Sequence, residues 1–163
     1  MRTFNDFAGL ARHLDRVRSR IPEAIEAELE AQGKALRREA QALFGHYQAG
    51  WPALADSTVA ERTRLGYAPN DPLLREGKLR DAITFRLEDG RDGRQLFVGV
   101  PTGIILSHPY RKGTVQAHKL MAVHEYGSTD GRVPARPVFG IVQHRITRFT
   151  DAVGAGVVAR IGL

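Results

Sequence analysis

Apolar residues recur at helical spacing through residues 4–44, and this feature most constrains the fold. The residues that form this pattern are Leu10, Leu14, Val17, Ile21, Ile25, Leu29, Leu36 and Leu43. Most are separated by three or four positions, or by multiples of that, which is typical of one face of a helix. Residues 23–44 are also rich in strong helix formers, with acids first and bases later, which suits the helix dipole. We predict a long N-terminal helix with a break near Arg20–Pro22, because an internal proline removes a backbone donor.

Residues 83–100 have the pattern of two antiparallel strands. Ile83, Phe85 and Leu87 alternate with polar residues, as in a strand with one buried face. Residues 89–93 are rich in turn-forming residues, and apolar character resumes in residues 95–100. This pattern predicts a β-hairpin.

Shorter elements are predicted around this hairpin. Thr58 and Glu61 have the spacing of a capping box, which predicts a short helix that ends near Leu65. Gly127 follows a short helical pattern and would end it. The other expected segments are helix or turn at 73–82, a long loop at 101–118 with a short strand at 104–106, and a helix at 119–126.

The apolar spacing in the last third of the chain predicts an amphipathic C-terminal helix. Its apolar set is spaced 3, 4, 3 and 4, with Gln143, Arg145 and Arg148 opposite. Its end should be weakened by Gly154, Gly156 and Gly162. The apolar residues are Phe139, Val142, Ile146, Phe149 and Val153. The chain is therefore expected to be α+β, with a small antiparallel sheet built on the hairpin between the two helical ends. We expect one domain over residues 1–163, with residues 1–20 and 155–163 as peripheral arms.

Charge is unevenly distributed along the chain. Of the net charge of +6, residues 1–45 contribute +1 (8 basic, 7 acidic), residues 46–100 contribute 0 (8 and 8), and residues 101–163 contribute +5 (8 and 3). Such an excess fits a nucleic-acid footprint or a basic rim that pairs with an acidic partner protein, and we favour the second interpretation. No apolar run approaches the length needed to cross a bilayer, and the chain has no cysteine.

Motifs for catalysis are weak. His124-Glu125 resembles the start of a zinc-binding His-Glu-x-x-His helix, but Ser128 stands where the second histidine belongs. A metal hydrolase using His118, His124 and Glu125 is kept as a minor alternative. The glycines of residues 154–159 lack the strand–helix context of a dinucleotide site, and neither a phosphate-binding loop nor a nucleophile elbow occurs. We predict no enzymatic activity, no cofactor and no metal.

Several polar and aromatic residues are candidates for contact with a partner. Arg111, Lys112, Arg132 and Arg136 could contact phosphate, although no aromatic residue alternates with them. Arg136 lies between Pro134 and Pro137, and its guanidinium could pair with a carboxylate of a neighbouring subunit or bind within its own chain. Trp51 could anchor a subunit contact or pack onto the core, and we favour packing.

Four stretches, taken together, resemble the virion-morphogenesis and tail-completion family of tailed bacteriophages. The stretches are Trp51-Pro52-Ala53-Leu54-Ala55-Asp56-Ser57-Thr58, Pro72-Leu73-Leu74-Arg75-Glu76-Gly77-Lys78-Leu79-Arg80, His124-Glu125-Tyr126-Gly127 and Pro134-Ala135-Arg136-Pro137-Val138-Phe139. They follow an N-terminal helix, and the predicted hairpin lies between the second and third. The resemblance covers residues 20–150.

The resemblance implies an α+β structural subunit that joins a ring of six in the neck or upper tail of the virion, without enzymatic activity. It implies neighbours among connector or head-closure proteins and tail-terminator or tail-tube proteins, contact with passing DNA, and assembly in the host cytoplasm. It is also compatible with a monomer before assembly. The runner-up function is a basic DNA-binding module in the C-terminal third. Candidate interface residues are Trp51, Arg111, Lys112, His124, Glu125, Tyr126, Arg132 and Arg136.

Overall fold

The computed structural model describes residues 6–91, 93–108, 112–143 and 149–162, and within them the chain is α+β. The helices are α1 (Phe7–Ala42), α2 (Asp56–Arg64), α3 (Lys78–Asp81), α4 (Ala117–Tyr126), α5 (Phe139–Gln143) and α6 (Phe149–Ile161). The strands are β1 (Thr84–Gly90), β2 (Gly93–Gly99), β3 (Ile105–Ser107) and β4 (Thr114–Gln116). The predicted fold class is confirmed.

Helix α1 is continuous, so the predicted break near Arg20–Pro22 is wrong. The Asp6 side chain caps its start by accepting a hydrogen bond of 2.5 Å from the Gly9 N–H. Pro22 lies inside the helix and is exposed. Its missing N–H would have bonded to the Arg18 carbonyl, and Arg18 is also exposed, so water can reach that carbonyl. The lost hydrogen bond therefore does not have to end the helix.

The predicted hairpin is confirmed. Strands β1 and β2 pair antiparallel from Thr84↔Gly99 to Gly90↔Gly93, so both strands reach further into the predicted turn than expected. Helix α1 packs against both strands. At Gly33 a Cβ atom would lie 2.5 Å from a ring carbon of Phe85 and 2.8 Å from a methyl carbon of Leu96. Glycine thus permits the close approach of helix and sheet.

A second antiparallel pair corrects the prediction of a long loop at residues 101–118. Strand β3 pairs with β4 from Ile105↔Gln116 to Ser107↔Thr114. Each strand has three residues, which is too few to show a period of two in the sequence. The short strand predicted at 104–106 corresponds to β3. Helix α4 begins at Ala117 and ends before Gly127 (φ 82°), which confirms the helix predicted there.

The segment around residues 56–82 contains one wrong prediction and two confirmed ones. Helix α2 ends at Arg64, which confirms the short helix predicted to end near Leu65. Helix α2 begins at Asp56 after Ala55, which has no capping side chain, so Thr58 lies inside the first turn and forms no capping box. Residues 73–82 are turns followed by α3, as predicted. Leu73 has a φ of 61°, a conformation that costs free energy for a residue with a Cβ atom.

The predicted C-terminal helix is described as α5 and α6, and residues 144–148 between them lie outside the described residues. Gly154 and Gly156 do not end α6, which continues to Ile161. One reason is packing on α1. Gly156 lies against Glu28, whose carboxylate also accepts a hydrogen bond of 2.5 Å from Arg160.

One apolar core joins the end of α1, the segment before β1, α4 and α5. It contains Ala40, Leu43, Phe44, Trp51, Leu79, Ala82, Ile83, Ala117, Met121, Val138 and Val142. None of the helices in the described ranges is long and apolar enough to span a membrane. The proposed peripheral arms at residues 1–20 and 155–163 remain a prediction.

Candidate functional site

Arg136 is buried near the end of the segment that joins α4 to α5. Its Nη2 donates hydrogen bonds to the carbonyl oxygens of Pro52 (3.0 Å) and Ala53 (2.9 Å), and its Nε donates to Pro52 (3.2 Å). Its backbone N–H donates to the His124 carbonyl at 2.6 Å. The planar guanidinium can satisfy both carbonyls at once. Of the two interpretations of Arg136, the geometry therefore supports binding within its own chain.

Glu125 also binds within its own chain, at the start of α5. Its Oε2 accepts hydrogen bonds from the N–H groups of Val138 (2.8 Å) and Phe139 (3.0 Å), and its Oε1 accepts one from Gly140 (2.6 Å). The first N–H groups of a helix have no partner in the helix itself, so this carboxylate caps α5 from another element. Together, Glu125 and Arg136 fasten α4 to α5 and to the loop at Pro52, and we call this pair with His124 the junction.

His124 is the third member of the junction. Burial, followed by the nearby positive charge of Arg136, lowers the pKa of His124 to about 4. The imidazole is therefore neutral at pH 7. Its Nδ1 is buried and has no hydrogen-bond partner among the described residues. A neutral side chain held beside a buried guanidinium is compatible with a structural role.

The other candidate interface residues are dispersed. Trp51 is 8% exposed and lies in the core, which supports packing, while a subunit contact through it remains a prediction. Tyr126 is 83% exposed at the end of α4. Arg132 is exposed and lies 3.4 Å from the Asp130 carboxylate. Lys112 is exposed between β3 and β4, and Arg111 lies outside the described residues.

Chemistry for metal binding is not assembled in the described ranges. No group of three potential ligands from histidine, aspartate or glutamate comes together there. His118 and Glu125 border one small cavity, whereas His124 lines a different, larger one, and Glu125 is already engaged with three N–H groups. The minor alternative of a metal hydrolase gains no support from this arrangement.

The larger cavity is an open groove of about 570 Å³ beside the junction. Its walls are the loop before α2, the segment before α3, the β3–β4 hairpin, α4 and the segment after α4. The apolar residues that line it include Leu54, Leu73, Leu79, Leu106, Val115, Leu120, Val123 and Val133. This volume lies within the range of ligand-binding clefts, and we call it the groove.

The groove is basic. Among the described residues, its lining includes six arginines and lysines but one carboxylate, that of Glu76. Hydrogen bonding and charge from Lys78 lower the pKa of Glu76, so that carboxylate is ionised and engaged with its neighbour. The basic residues are Arg62, Arg75, Lys78, Lys119, Arg132 and Arg136.

The first half of α1 exposes an apolar stripe. Phe7, Leu14 and Ile21 are seven residues apart and are 92%, 56% and 36% exposed. Leu10 and Val17 fall between them at steps of three and four and are partly buried. No residue of positions 7–23 is buried, and the buried residues of α1 begin at Ala24. We call residues 7–23 the arm.

Sequence reasoning missed both the arm as a surface and the groove. A seven-residue recurrence of apolar residues signals a seam for another helix, and it was visible in the sequence. Lys119 was not a candidate because its neighbours in the groove come from distant segments. No local pattern could have shown it.

Comparison with protein-family models, with curated proteins and with solved structures gives no match to this chain.

Proposed function

We propose that this protein is a structural subunit of a tailed-bacteriophage virion, in the neck or upper tail, that assembles with copies of itself into a ring. The choice of a tailed-bacteriophage virion rests on the four motif stretches, which resemble those of tail-completion proteins. The exposed apolar stripe of the arm is the observation that carries the assembly role.

The arm is suited to helix–helix contact. Phe7, Leu14 and Ile21 occupy one heptad position, and Leu10 and Val17 occupy the other position of the same seam. Apolar side chains at this spacing stay exposed at a cost when no partner covers them, because their burial is worth about 25 cal/mol per Å². Contact with the arm of a neighbouring copy would bury the stripe.

The motif stretches have a different role in this proposal. Arg136 and Glu125 hold α4, α5 and the Pro52 loop in one arrangement, and such rigidity suits a subunit that must repeat around a ring. In the proposal the junction maintains the shape of each subunit, and the arm links subunits.

The DNA-binding alternative has a weaker basis. Two of the basic residues in the C-terminal third have internal partners, since Arg136 binds carbonyls and Arg160 binds Glu28. The described residues Lys112, Lys119 and Arg132 remain exposed. If DNA binding is the function, affinity must fall steeply with salt.

Complementation in the phage tests the proposal. A phage that lacks this gene is supplied with the wild-type gene or with the double variant Leu14→Glu and Ile21→Glu, and lysates are inspected by negative-stain electron microscopy. We expect the wild type to restore joined heads and tails, and the double variant to leave them incomplete.

The matched control is Arg12→Glu with Ser19→Glu. Both positions are exposed and lie on the face of α1 opposite the stripe, so this variant should complement. Complete virions without the gene would contradict the structural role. Full complementation by the stripe variant would contradict assembly through the arm.

A further inference from the structure

The groove combines an aliphatic floor with a basic rim, and these two properties together restrict what can occupy it. Leu54, Leu106 and Val123 line the floor, which can bury apolar side chains. The rim includes cations on separate segments. Lys78 is the first residue of α3, Lys119 lies on α4, and Arg132 lies in the segment after α4.

Two of the rim cations are accessible. Lys119 is exposed and forms no hydrogen bond or ion pair with the described residues. Arg132 has a side chain that is 82% exposed, and it meets Asp130 only at 3.4 Å. The Asp130 carboxylate also accepts hydrogen bonds from Ser128 (2.6 Å) and from the Arg132 N–H (3.1 Å). The guanidinium of Arg132 can therefore turn towards an incoming anion at little cost.

We propose that the groove binds an extended acidic peptide segment of a partner protein, with apolar side chains on the floor and carboxylates at Lys119 and Arg132. Cations on separate segments favour a ligand with several carboxylates over a small molecule with one. This interaction is separate from the contact between arms, so either can fail without the other.

A nucleic acid fits the groove less well. Its floor is aliphatic, whereas single-stranded nucleic acids stack their bases on aromatic side chains. A phosphate backbone would use the rim but leave the floor uncovered. An acidic segment with apolar residues uses both, and the electrostatic attraction would also speed association.

The shape of the groove is fixed before binding. Arg62, which is buried, donates hydrogen bonds to the carbonyl oxygens of Ala68 (2.7 Å) and Leu74 (2.6 Å), so it fastens one wall. Arg136 binds the carbonyl oxygens of Pro52 and Ala53, and so holds another lining segment in place. A groove that is already formed loses less entropy when its ligand binds.

Fluorescence polarisation with a short labelled peptide in which Glu alternates with Leu tests the inference on the full-length protein. We expect saturable binding that weakens with salt, and at least about tenfold weaker binding of the same peptide with Gln in place of Glu. The variant Lys119→Glu with Arg132→Glu should also bind at least about tenfold more weakly.

Arg38→Glu is the matched control, since Arg38 is an exposed residue of α1 that does not line the groove. It should change affinity by less than about twofold. Circular dichroism checks that each variant is folded, and amide chemical shifts should move at Leu54, Leu106 and Val123 when the peptide is added.

Three results of the peptide experiments would overturn the inference. They are equal binding of the Gln peptide, undiminished binding by the rim variant, and chemical-shift changes located away from the groove. Tighter binding of a single-stranded oligonucleotide that displaces the peptide would likewise overturn it and assign the groove to nucleic acid.

Discussion

The arm and the junction differ in whether their side chains have partners within the chain. In the junction, Arg136 and Glu125 carry full charges, yet each is bound to backbone groups of its own chain. In the arm, Leu14 and Phe7 are apolar, yet they face solvent. The two charged candidates thus have partners within their own chain, while the apolar side chains of the arm are available to a neighbour.

This contrast follows from different physical costs. A buried polar group is expensive unless it is hydrogen-bonded, so the guanidinium of Arg136 and the carboxylate of Glu125 need partners within the subunit. Exposed apolar surface is tolerated in a monomer and becomes favourable when a partner covers it. The residue type alone therefore does not indicate which surface is used.

The largest effect is expected for Arg136→Ala. This change leaves the carbonyls of Pro52 and Ala53 without their donor and removes a buried side chain, so it should lower the free energy of unfolding by about 3–4 kcal/mol. Urea denaturation measures the loss. Arg136→Lys should recover only part of it, since a lysine cannot reproduce the fork of donors. A loss below about 1 kcal/mol would show that Arg136 is not needed for the fold. It would instead favour a contact between Arg136 and a neighbouring subunit.

The next effect is a pH dependence from His124. Its pKa is about 4 in the folded chain against an ordinary 6.5, so the unfolded chain takes up the proton first as pH falls. The contribution is fully present above pH 6.5 and is lost as pH falls towards 4, by up to about 3 kcal/mol.

The variant His124→Gln isolates this contribution. Comparing its unfolding free energy with that of the wild type across the same pH range removes the effect of the carboxylates. We expect the difference between the two proteins to change with pH. Parallel curves would mean that His124 is solvated in the folded chain, and the junction would then be less tightly buried than the geometry indicates.

A smaller effect is expected for Glu125→Gln. One amide oxygen replaces two carboxylate oxygens at the start of α5, so some N–H groups of Val138, Phe139 and Gly140 lose their acceptor. Thermal unfolding should show a loss of about 1–2 kcal/mol. The control Glu23→Gln makes the same change at an exposed residue of α1. Equal losses in both variants would contradict a specific cap.

The arm should show the smallest effect on stability and the clearest effect on contact between subunits. The chain has no cysteine, so Leu14→Cys introduces a single thiol. Stability should stay within about 1 kcal/mol of the wild type, because Leu14 is 56% exposed. In assembled particles a bifunctional maleimide should join copies through this thiol, whereas Ser19→Cys on the opposite face should not be joined. Equal cross-linking at the two positions would contradict a contact between subunits through the apolar stripe.

Much of the fold could be predicted because its signals are local. The alternation of Ile83, Phe85 and Leu87 predicts the first hairpin, and the apolar spacing predicts α1. Strand β4 and its pairing with β3 could not be predicted, since three residues show no period. The break predicted at Pro22 was wrong because the effect of a proline depends on whether water reaches the carbonyl that loses its hydrogen bond, here that of Arg18.

The candidate site was less predictable because its contacts join distant parts of the chain. Arg136 and Pro52 are 84 residues apart, and Glu125 lies 13 to 15 residues from the N–H groups it binds. The two prolines around Arg136 restrict the backbone there, but nothing in the sequence specifies which carbonyls its guanidinium meets. Lys119 enters the groove only through the packing of α4.

Cryo-electron microscopy of intact virions tests the central claim most directly. The account predicts a closed ring of this chain at the neck or upper tail, in which Leu14 and Ile21 of each arm are covered by an adjacent copy and Arg136 stays bound to Pro52 within its own subunit. A ring held together through the junction, with the arms in solvent, would contradict the division of roles, and virions without this chain would contradict the structural function itself.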